Sequence, residues 1–323
     1  MTDRRTFIRA ATGGLMAASI AVRAQPAARI PVVGYLNLGG GDTLAQFQSA
    51  MRELGYVEGR NIVIERRYTD GRVEPLAGMV AELIKLKVDV LYVAGPAAVR
   101  AAKSATSTIP IVALDLETDP VASGLVQSLA RPGGNLTGLF LDLPNLAGKW
   151  LELLGEAVPG RKRVGVLWDS TTGPAQLDAA RAAARGFGVE LQVLEIRARD
   201  EIDAALTRSL DGKIQALVIL SSPLASSQSR RIAEFAAQHR LPGISAFRAF
   251  SDAGGLMSYG PDLVAFRRIA AGYVDRLLKG AKAAELPIQQ PTMFQFVVNQ
   301  KAARALNVRL PQQLLLRADE VIQ

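Results

Sequence analysis

The chain alternates between short apolar runs and amphipathic segments for most of its length. The apolar runs are rich in Val, Ile and Leu, and the segments between them repeat apolar residues at helical spacing. Continuous apolar runs are typical of parallel strands covered on both faces, and the amphipathic segments suit crossover helices. In the first half of the chain, the apolar runs predict strands at 30–36, 61–68, 89–94, 110–114 and 135–141. It also predicts helices at 44–54, 73–86 and 96–107, and a further helix that begins at Asp119 and Pro120.

The same alternation restarts in the second half of the chain. Strands are predicted at 163–168, 189–196, 215–220 and 242–246, with helices at 174–187, 201–210 and 226–238. Two such series predict two doubly wound, mainly parallel α/β lobes. The last part departs from the alternation, with a strand at 254–260, a long helix at 261–279, a strand at 291–299 and a helix at 301–306. A chain that passes repeatedly between two lobes would produce such an ending.

The first residues have the features of an export signal. Arg4 and Arg5 are followed by Thr6, Phe7 and Ile8, which resembles the twin-arginine motif. Residues 10–21 are mildly apolar and shorter than the roughly 20 residues of a spanning helix. We therefore expect a signal peptide over 1–24, cleaved after Ala24, and a mature protein in the periplasm. Asp3 stands where Ser or Thr is usual, so the route is either twin-arginine or general secretion.

Length and charge limit the classes of function. The chain has 323 residues, so removal of 24 leaves 299, which suits two domains of about 150 residues. Loss of the four arginines and one aspartate of the leader lowers the net charge from +8 to +5. The basic residues are dispersed, with no run that would mark a nucleic-acid surface, so we expect no nucleic-acid partner.

The supply of reactive side chains is small. The chain has no cysteine and one histidine, His239, at a predicted helix end. It therefore has no disulfide and no lipid-attachable cysteine, and few ligands for a zinc ion. A Ser-His-Asp site would need His239, whose predicted position is poor for that role. We expect no metal, no cofactor and no catalytic residue, and a soluble rather than a membrane-anchored protein.

Blocks of sequence spread through nearly all of the mature chain resemble one known family. They include residues 52–61 (RELGYVEGRN), 128–138 (SLARPGGNLTG), 254–260 (GGLMSYG) and 273–282 (YVDRLLKGAK). The chain resembles the periplasmic substrate-binding proteins of ABC transporters, in the family that includes aromatic-amino-acid-binding members. The resemblance implies a type I periplasmic-binding-protein fold, whose lobes are joined by three crossings. The crossings are expected near Leu141, at 258–260 and at 293–297.

The resemblance also implies domain limits and a function. Lobe 1 is expected over 30–141 plus 260–291, and lobe 2 over 142–258 plus 293–323. The implied function is capture of a small molecule, an amino acid or a related small carboxylate, and its delivery to a membrane ABC permease. The expected protein is a monomer and not an enzyme. Two alternatives stay open at this point: a ligand-sensing protein for a membrane receptor, and a two-domain α/β enzyme.

The expected ligand site follows from topology, because parallel sheets bind ligands beyond the carboxyl ends of their strands. The predicted ligand-binding residues are Asn37, Gly95, Pro96, Ala97, Asp115, Asp142, Asp169, Ser221, Phe247 and Tyr259. The helix start at Ala97 would hold a carboxylate, and one of the three aspartates would hold an ammonium group. Phe247 and Tyr259 would stack on an apolar part of the ligand.

Each of these residue types also has a purely structural role. Asp115 and Asp169 either bind ligand or only cap the turns that follow their strands. Phe247 either contacts ligand or belongs to the core, and Ser221 and Ser222 either line the site or only start a helix.

Overall fold

The structure is a computed structural model, and it describes residues 29–38, 42–69, 72–115 and 119–323. Only the backbone of Asp42 and Asp115 is described. The expected signal peptide at 1–24 lies outside the described residues. Residues 31–323 form one compact unit. No helix in the described ranges has both the length and the apolar character needed to cross a membrane.

Lobe 1 is built on a sheet of five parallel strands. They are β1 (Val32–Asn37), β2 (Val63–Tyr68), β3 (Val90–Ala94), β4 (Ile111–Asp115) and β5 (Leu136–Phe140). Their order across the sheet is β2-β1-β3-β4-β5. The first three helices are α1 (Asp42–Glu53), α2 (Leu76–Lys85) and α3 (Pro96–Ala105).

Lobe 2 contains a sheet of seven strands, in the order β12-β11-β10-β9-β8-β6-β7. The strands are β6 (Arg163–Asp169), β7 (Glu190–Ile196), β8 (Ala216–Ile219), β9 (Gly243–Ser245), β10 (Met257–Pro261), β11 (Phe294–Asn299) and β12 (Glu320–Ile322). The β10–β11 pair is antiparallel and the other pairs are parallel, because the chain re-enters this sheet from lobe 1 in the reverse direction.

The remaining helices are mostly those of lobe 2. They are α4 (Ala147–Ala157), α5 (Ala175–Phe187), α6 (Ile202–Asp211), α7 (Pro223–Ser227), α8 (Ser229–Gln238), α9 (Arg248–Asp252), α10 (Leu263–Leu278), α11 (Gln300–Ala305) and α12 (Gln312–Arg317). Helix α10 is the exception, because it packs on α1 and on strands β3 to β5 of lobe 1.

The chain passes between the lobes three times. It leaves lobe 1 after β5, returns after β10 into α10, and leaves again after Gln289, which pairs with Leu139 in lobe 1. The second and third crossings touch, because the N–H of Asp262 donates to the carbonyl oxygen of Met293 at 3.1 Å. The expected fold of two lobes with three crossings is confirmed. The residue limits of the lobes stay a prediction.

The central strands of lobe 1 bury aromatic rings beneath α1. Tyr35 on β1 and Tyr92 on β3 are adjacent in register, and their rings stack with centroids 5.0 Å apart. Phe47 of α1 covers them, with its ring centroid 4.6 Å from that of Tyr92. The Tyr35 side chain is fully buried. These contacts hold α1 over β1 and β3, and so place the strand ends at the cleft.

Several sequence expectations for single elements are wrong. The helix expected at Asp119 and Pro120 is a series of turns, although Asp119 Oδ1 accepts the cap bonds from the N–H groups of Val121 and Ala122 at 2.8 and 3.2 Å. Gly124, with φ of 72°, turns the chain before a helix can form. The helix expected at 226–238 is divided into α7 and α8 at Gln228.

Four elements were missed by the sequence analysis, namely α4, α9, α12 and β12. Helix α4 had a clear signal, since Trp150, Leu151 and Leu154 recur at helical spacing and are buried. The other three are six residues or shorter, too short for a periodic pattern to identify.

Candidate functional site

A cleft lies between the two lobes, where the carboxyl ends of strands from both sheets face each other. Its volume is about 310 Å³, including the open mouth. Lobe 1 contributes Leu38, Val73, Pro96 and Ala97, and lobe 2 contributes Asp169, Thr171, Thr172, Pro223 and Leu224. The lobes meet beside the cleft, because a methyl group built on Gly95 would lie 3.5 Å from Cγ of Pro223.

The lobe 1 wall is formed by the start of α3. Gly95 has φ of 97°, and its N–H donates to the carbonyl oxygen of Leu114 at 2.8 Å. Pro96 is the first helical residue and has no N–H. The N–H groups of Ala97 and Ala98 follow in the first turn, where a helix offers no internal acceptor. This wall can therefore receive an anionic group.

The lobe 2 wall contains a buried carboxylate. Asp169 ends β6 with only 4% of its surface exposed. It accepts hydrogen bonds from the N–H and hydroxyl of Thr171 at 3.0 and 2.6 Å, and from the hydroxyl of Ser222. Burial raises the pKa of Asp169, and the bonds from Thr171 and Ser222 partly oppose that rise. Asp169 thus caps a turn and also lines the cleft, so the structural role considered for it is present and the ligand-binding role stays a prediction.

The next part of this wall is held by a residue that the sequence analysis missed. The amide nitrogen of Gln176 donates to the carbonyl oxygen of Ser221 at 2.9 Å, and the N–H of Ser221 donates to Gln176 Oε1 at 3.0 Å. Both residues are buried. Ser222 then caps α7 by accepting from the N–H of Ala225 at 2.9 Å. Gln176 therefore fixes the strand end that leads to Pro223.

Asn37 and Asp142 lie outside the set that lines the cleft. The Asn37 amide donates to the Tyr35 hydroxyl at 3.1 Å and to Thr43 Oγ1 at 2.6 Å, so it faces α1. Asp142 lies on the first crossing in the left-handed region, with φ of 49°. Its Oδ2 accepts from the amides of Asn145 at 2.6 Å and Gln290 at 3.3 Å. Asp142 therefore links the first crossing to the third.

The two predicted aromatic residues pack within the protein. Phe247 is buried in the core with 8% of its surface exposed. The ring of Tyr259 stacks on Phe294 with centroids 6.0 Å apart and an interplanar angle of 11°. Its carbonyl oxygen accepts from Nε1 of Trp150 at 2.7 Å. Neither ring lines the cleft.

Of the predicted residues, Pro96, Ala97 and Asp169 line the cleft; Gly95 directly precedes Pro96, and Ser221 is two residues before Pro223. The side chain of Asp115 lies outside the described part of the chain. A ligand-binding role for each predicted residue stays a prediction. Val73, Thr171, Thr172, Pro223 and Leu224 were missed, and their only signal is that each follows a strand end by a few residues.

A larger cavity of about 550 Å³, open mouth included, lies elsewhere in lobe 2, between α8 and α11. Leu241, Leu256 and Ala302 line it together with other small residues, and it has no acidic lining residue. It shares no lining residue with the cleft. Within the described ranges, no three His, Cys, Asp or Glu side chains come together as a metal-ligand set.

Known proteins resemble the chain over most of its length. The sequence profile of the family described as ABC transporter substrate binding protein matches residues 41–322. A tyrosine-binding protein from Clostridioides difficile (strain R20291) is 26% identical over 267 residues, which cover 81% of this chain and 76% of that protein.

Two solved structures share the fold. The ABC domain in complex with L-Trp from Streptococcus pneumoniae superposes with a TM-score of 0.82 at 24% identity, covering 90% of this chain and 99% of that one. The ligand-free, open structure of a substrate-binding protein with adhesive properties from Clostridium difficile has a TM-score of 0.64 at 23% identity, covering 91% and 99%. The resemblance seen in the sequence is thus confirmed, and the chain belongs to the ABC transporter substrate-binding protein family.

Proposed function

We propose that this protein captures a small α-amino acid in the interlobe cleft and presents it to an ABC permease. The observation that carries the proposal is the placement of the buried Asp169 carboxylate in the same cleft as the N-terminus of α3. Asp169 would hold the ligand ammonium group, and the N–H groups of Ala97 and Ala98 would hold the carboxylate. An amino acid carries both groups on one carbon atom.

The energetics of Asp169 favour a cationic ligand group. A buried carboxylate has lost hydration, and its bonds from Thr171 and Ser222 replace only part of it. An ammonium group at hydrogen-bond distance would satisfy the remaining oxygen lone pairs and stabilise the ionised form. None of the residues that line the described cleft is Lys or Arg, so the binding site would not supply this cation itself.

The relatives support the same class of ligand. One is a tyrosine-binding protein, and another has been solved with L-Trp. The chain superposes better on the L-Trp complex than on the open, ligand-free structure, which favours a closed arrangement of the lobes. Members of the family are binding proteins, so we propose a non-catalytic role and a monomeric receptor.

The proposal is tested by thermal shift and calorimetry with the proteinogenic amino acids. A ligand present at 100 times its Kd raises the unfolding free energy by about 2.7 kcal/mol. Asp169→Asn should abolish the shift, whereas Asp211→Asn, which alters an exposed aspartate at the end of α6, should leave it intact. Unchanged affinity in Asp169→Asn would exclude the ammonium role. Recovery of a chemically altered ligand would indicate an enzyme instead.

We further propose that the protein works in the periplasm after export by the leader at 1–24. The support is the Arg4-Arg5-Thr6-Phe7 sequence and the family, whose permease partner is a membrane protein. Replacing Arg4 and Arg5 by lysine should retain the precursor in the cytoplasm if the route is twin-arginine. Continued export of that variant would indicate general secretion.

A further inference from the structure

We propose that the cleft selects amino acids with a short aliphatic side chain over those with an aromatic ring. The inference rests on the proposed function and adds the class of ligand to it. It is drawn from the lining side chains, and it differs from the ligands named for the relatives.

The apolar part of the cleft wall is aliphatic on both lobes. Leu38 and Val73 lie on the lobe 1 side, and Leu224 lies on the lobe 2 side. Pro96 and Pro223 complete this surface where the lobes meet. Branched aliphatic side chains and proline rings bury a ligand methyl or isobutyl group by close contact and dispersion. They do not supply the ring face or edge that an aromatic ligand uses for stacking.

None of the residues that line the described cleft is aromatic. The undescribed residues that follow β1, β2 and β4 in the sequence are Gly39–Gly41, Asp70, Gly71 and 116–118 (LET), none of them aromatic. The nearest candidates by topology, Phe247 and Tyr259, are already packed in the core and on Phe294. The described lining of the cleft therefore offers no stacking partner.

The packing of the cleft wall also favours a small ligand side chain. Leu38 and Leu224 are each only 5% exposed, so both are already packed against protein. A ligand side chain that enters between them displaces more of this packing the larger it is, which disfavours an indole or phenol group more than a propyl or butyl group.

Hydrophobic pockets discriminate well against groups that are too large and only modestly among smaller ones. A single methylene changes affinity by about 10- to 200-fold. We therefore expect L-leucine, L-isoleucine or L-valine to bind at least about tenfold more tightly than L-tyrosine or L-tryptophan. Leucine and isoleucine are isomers and should differ less from each other, whereas valine, which lacks one methylene, can differ from both by about tenfold or more.

The test is isothermal titration of the full mature chain with these five amino acids. Tighter binding of an aliphatic ligand supports the inference. Equal or tighter binding of tyrosine or tryptophan overturns it and leaves the proposed function intact. If no α-amino acid binds at millimolar concentration, the proposed function fails and the inference fails with it.

Two variants test whether the side chains that line the cleft determine the selectivity. Val73 is 39% exposed, so Val73→Ala enlarges the cleft with little risk to folding. It should reduce the preference for leucine over tyrosine by about tenfold. Leu316→Ala, at a residue of α12 that is 77% exposed, serves as the control and should change neither affinity. Leu224→Ala should enlarge the cleft further. A thermal melt of this variant checks that it is folded. Unaltered selectivity in both folded cleft variants would contradict the inference.

Discussion

The side-chain amide of Gln176 and the backbone of Ser221 exchange two hydrogen bonds, at 2.9 and 3.0 Å, in a buried environment. Gln176 lies near the start of α5, and Ser221 follows β8, the strand next to β6. The pair therefore joins the helix after β6 to the loop after β8. That loop carries Ser222, which bonds to Asp169, and Pro223, which borders the cleft.

Gln176→Met should destabilise the protein by about 2 kcal/mol, because it removes two buried hydrogen bonds. Ligand affinity should fall as well, since the Ser222–Pro223 segment loses its support. Urea unfolding measures the first effect and calorimetry the second. Gln313→Met, on the exposed face of α12, is the matched control. A stability change in Gln176→Met no larger than in that control would show that the pair is dispensable.

The stability of the ligand-free protein should depend on pH through Asp169. Burial raises its folded-state pKa above the ordinary value, so the ionised form destabilises the fold at neutral pH. This penalty is complete above the raised pKa and disappears below the ordinary one. Relative to the native protein, Asp169→Asn, which cannot titrate, should therefore gain Tm as the pH rises through the raised pKa. That gain should shrink on acidification, and a pH-independent difference would be contrary evidence.

Ligand binding should show the opposite dependence on pH. An ammonium ligand needs the ionised Asp169, so affinity should fall as the pH drops through the raised pKa. Calorimetry at several pH values measures this. A neutral-pH affinity that persists in acid would mean that another group binds the ammonium.

Asp142 should reveal strain at the first crossing. Its φ of 49° is disfavoured for residues with a β-carbon, at a cost of roughly 1–2 kcal/mol that glycine avoids. Asp142→Ala and Asp142→Gly both lose the bonds from Asn145 and Gln290. The glycine variant should nevertheless be more stable by about 1 kcal/mol in urea unfolding. Equal stabilities would argue that the backbone relaxes there.

Gly138 should tolerate no side chain. A β-carbon at this position would lie 2.2 Å from the carbonyl oxygen of Ala113 on the paired strand, and φ is 134°. Gly138→Ala should cost about 3 kcal/mol, because β4 and β5 must separate. Gly272→Ala in α10 meets no atom within 4 Å and should stabilise the helix by about 1 kcal/mol. Thermal melts of both variants measure the contrast.

The periodic parts of the fold could be predicted from sequence. Most strands and long helices lie within a few residues of their expected positions, because continuous apolar runs and 3.6-residue periodicity report burial directly. The turns after Asp119 could not be predicted, because an aspartate followed by proline is equally suited to begin a helix. The antiparallel β10–β11 pair also lay beyond the pattern, because strand direction depends on where the chain re-enters the sheet.

The site was predictable in place but only partly in detail. Strand ends indicated the cleft, and Asp169 lines it. The role of Gln176 depends on a partner 45 positions away, for which the sequence has no local signal. Asn37 was predicted to line the cleft but does not, because its amide donates to the Tyr35 hydroxyl and to Thr43 Oγ1 and so faces α1.

The three crossings also determine when each lobe can finish folding during synthesis. Lobe 1 needs the last third of the chain: Tyr56 bonds to Asp275 at 3.0 Å, and Thr137 bonds to the carbonyl oxygen of Leu286 at 2.7 Å. Lobe 2 needs the final strand, β12. The first sheet is therefore synthesised well before α10, the helix that covers it. Completion of both lobes depends on contacts between distant parts of the chain, and lobe 2 can be completed only when the final residues are available.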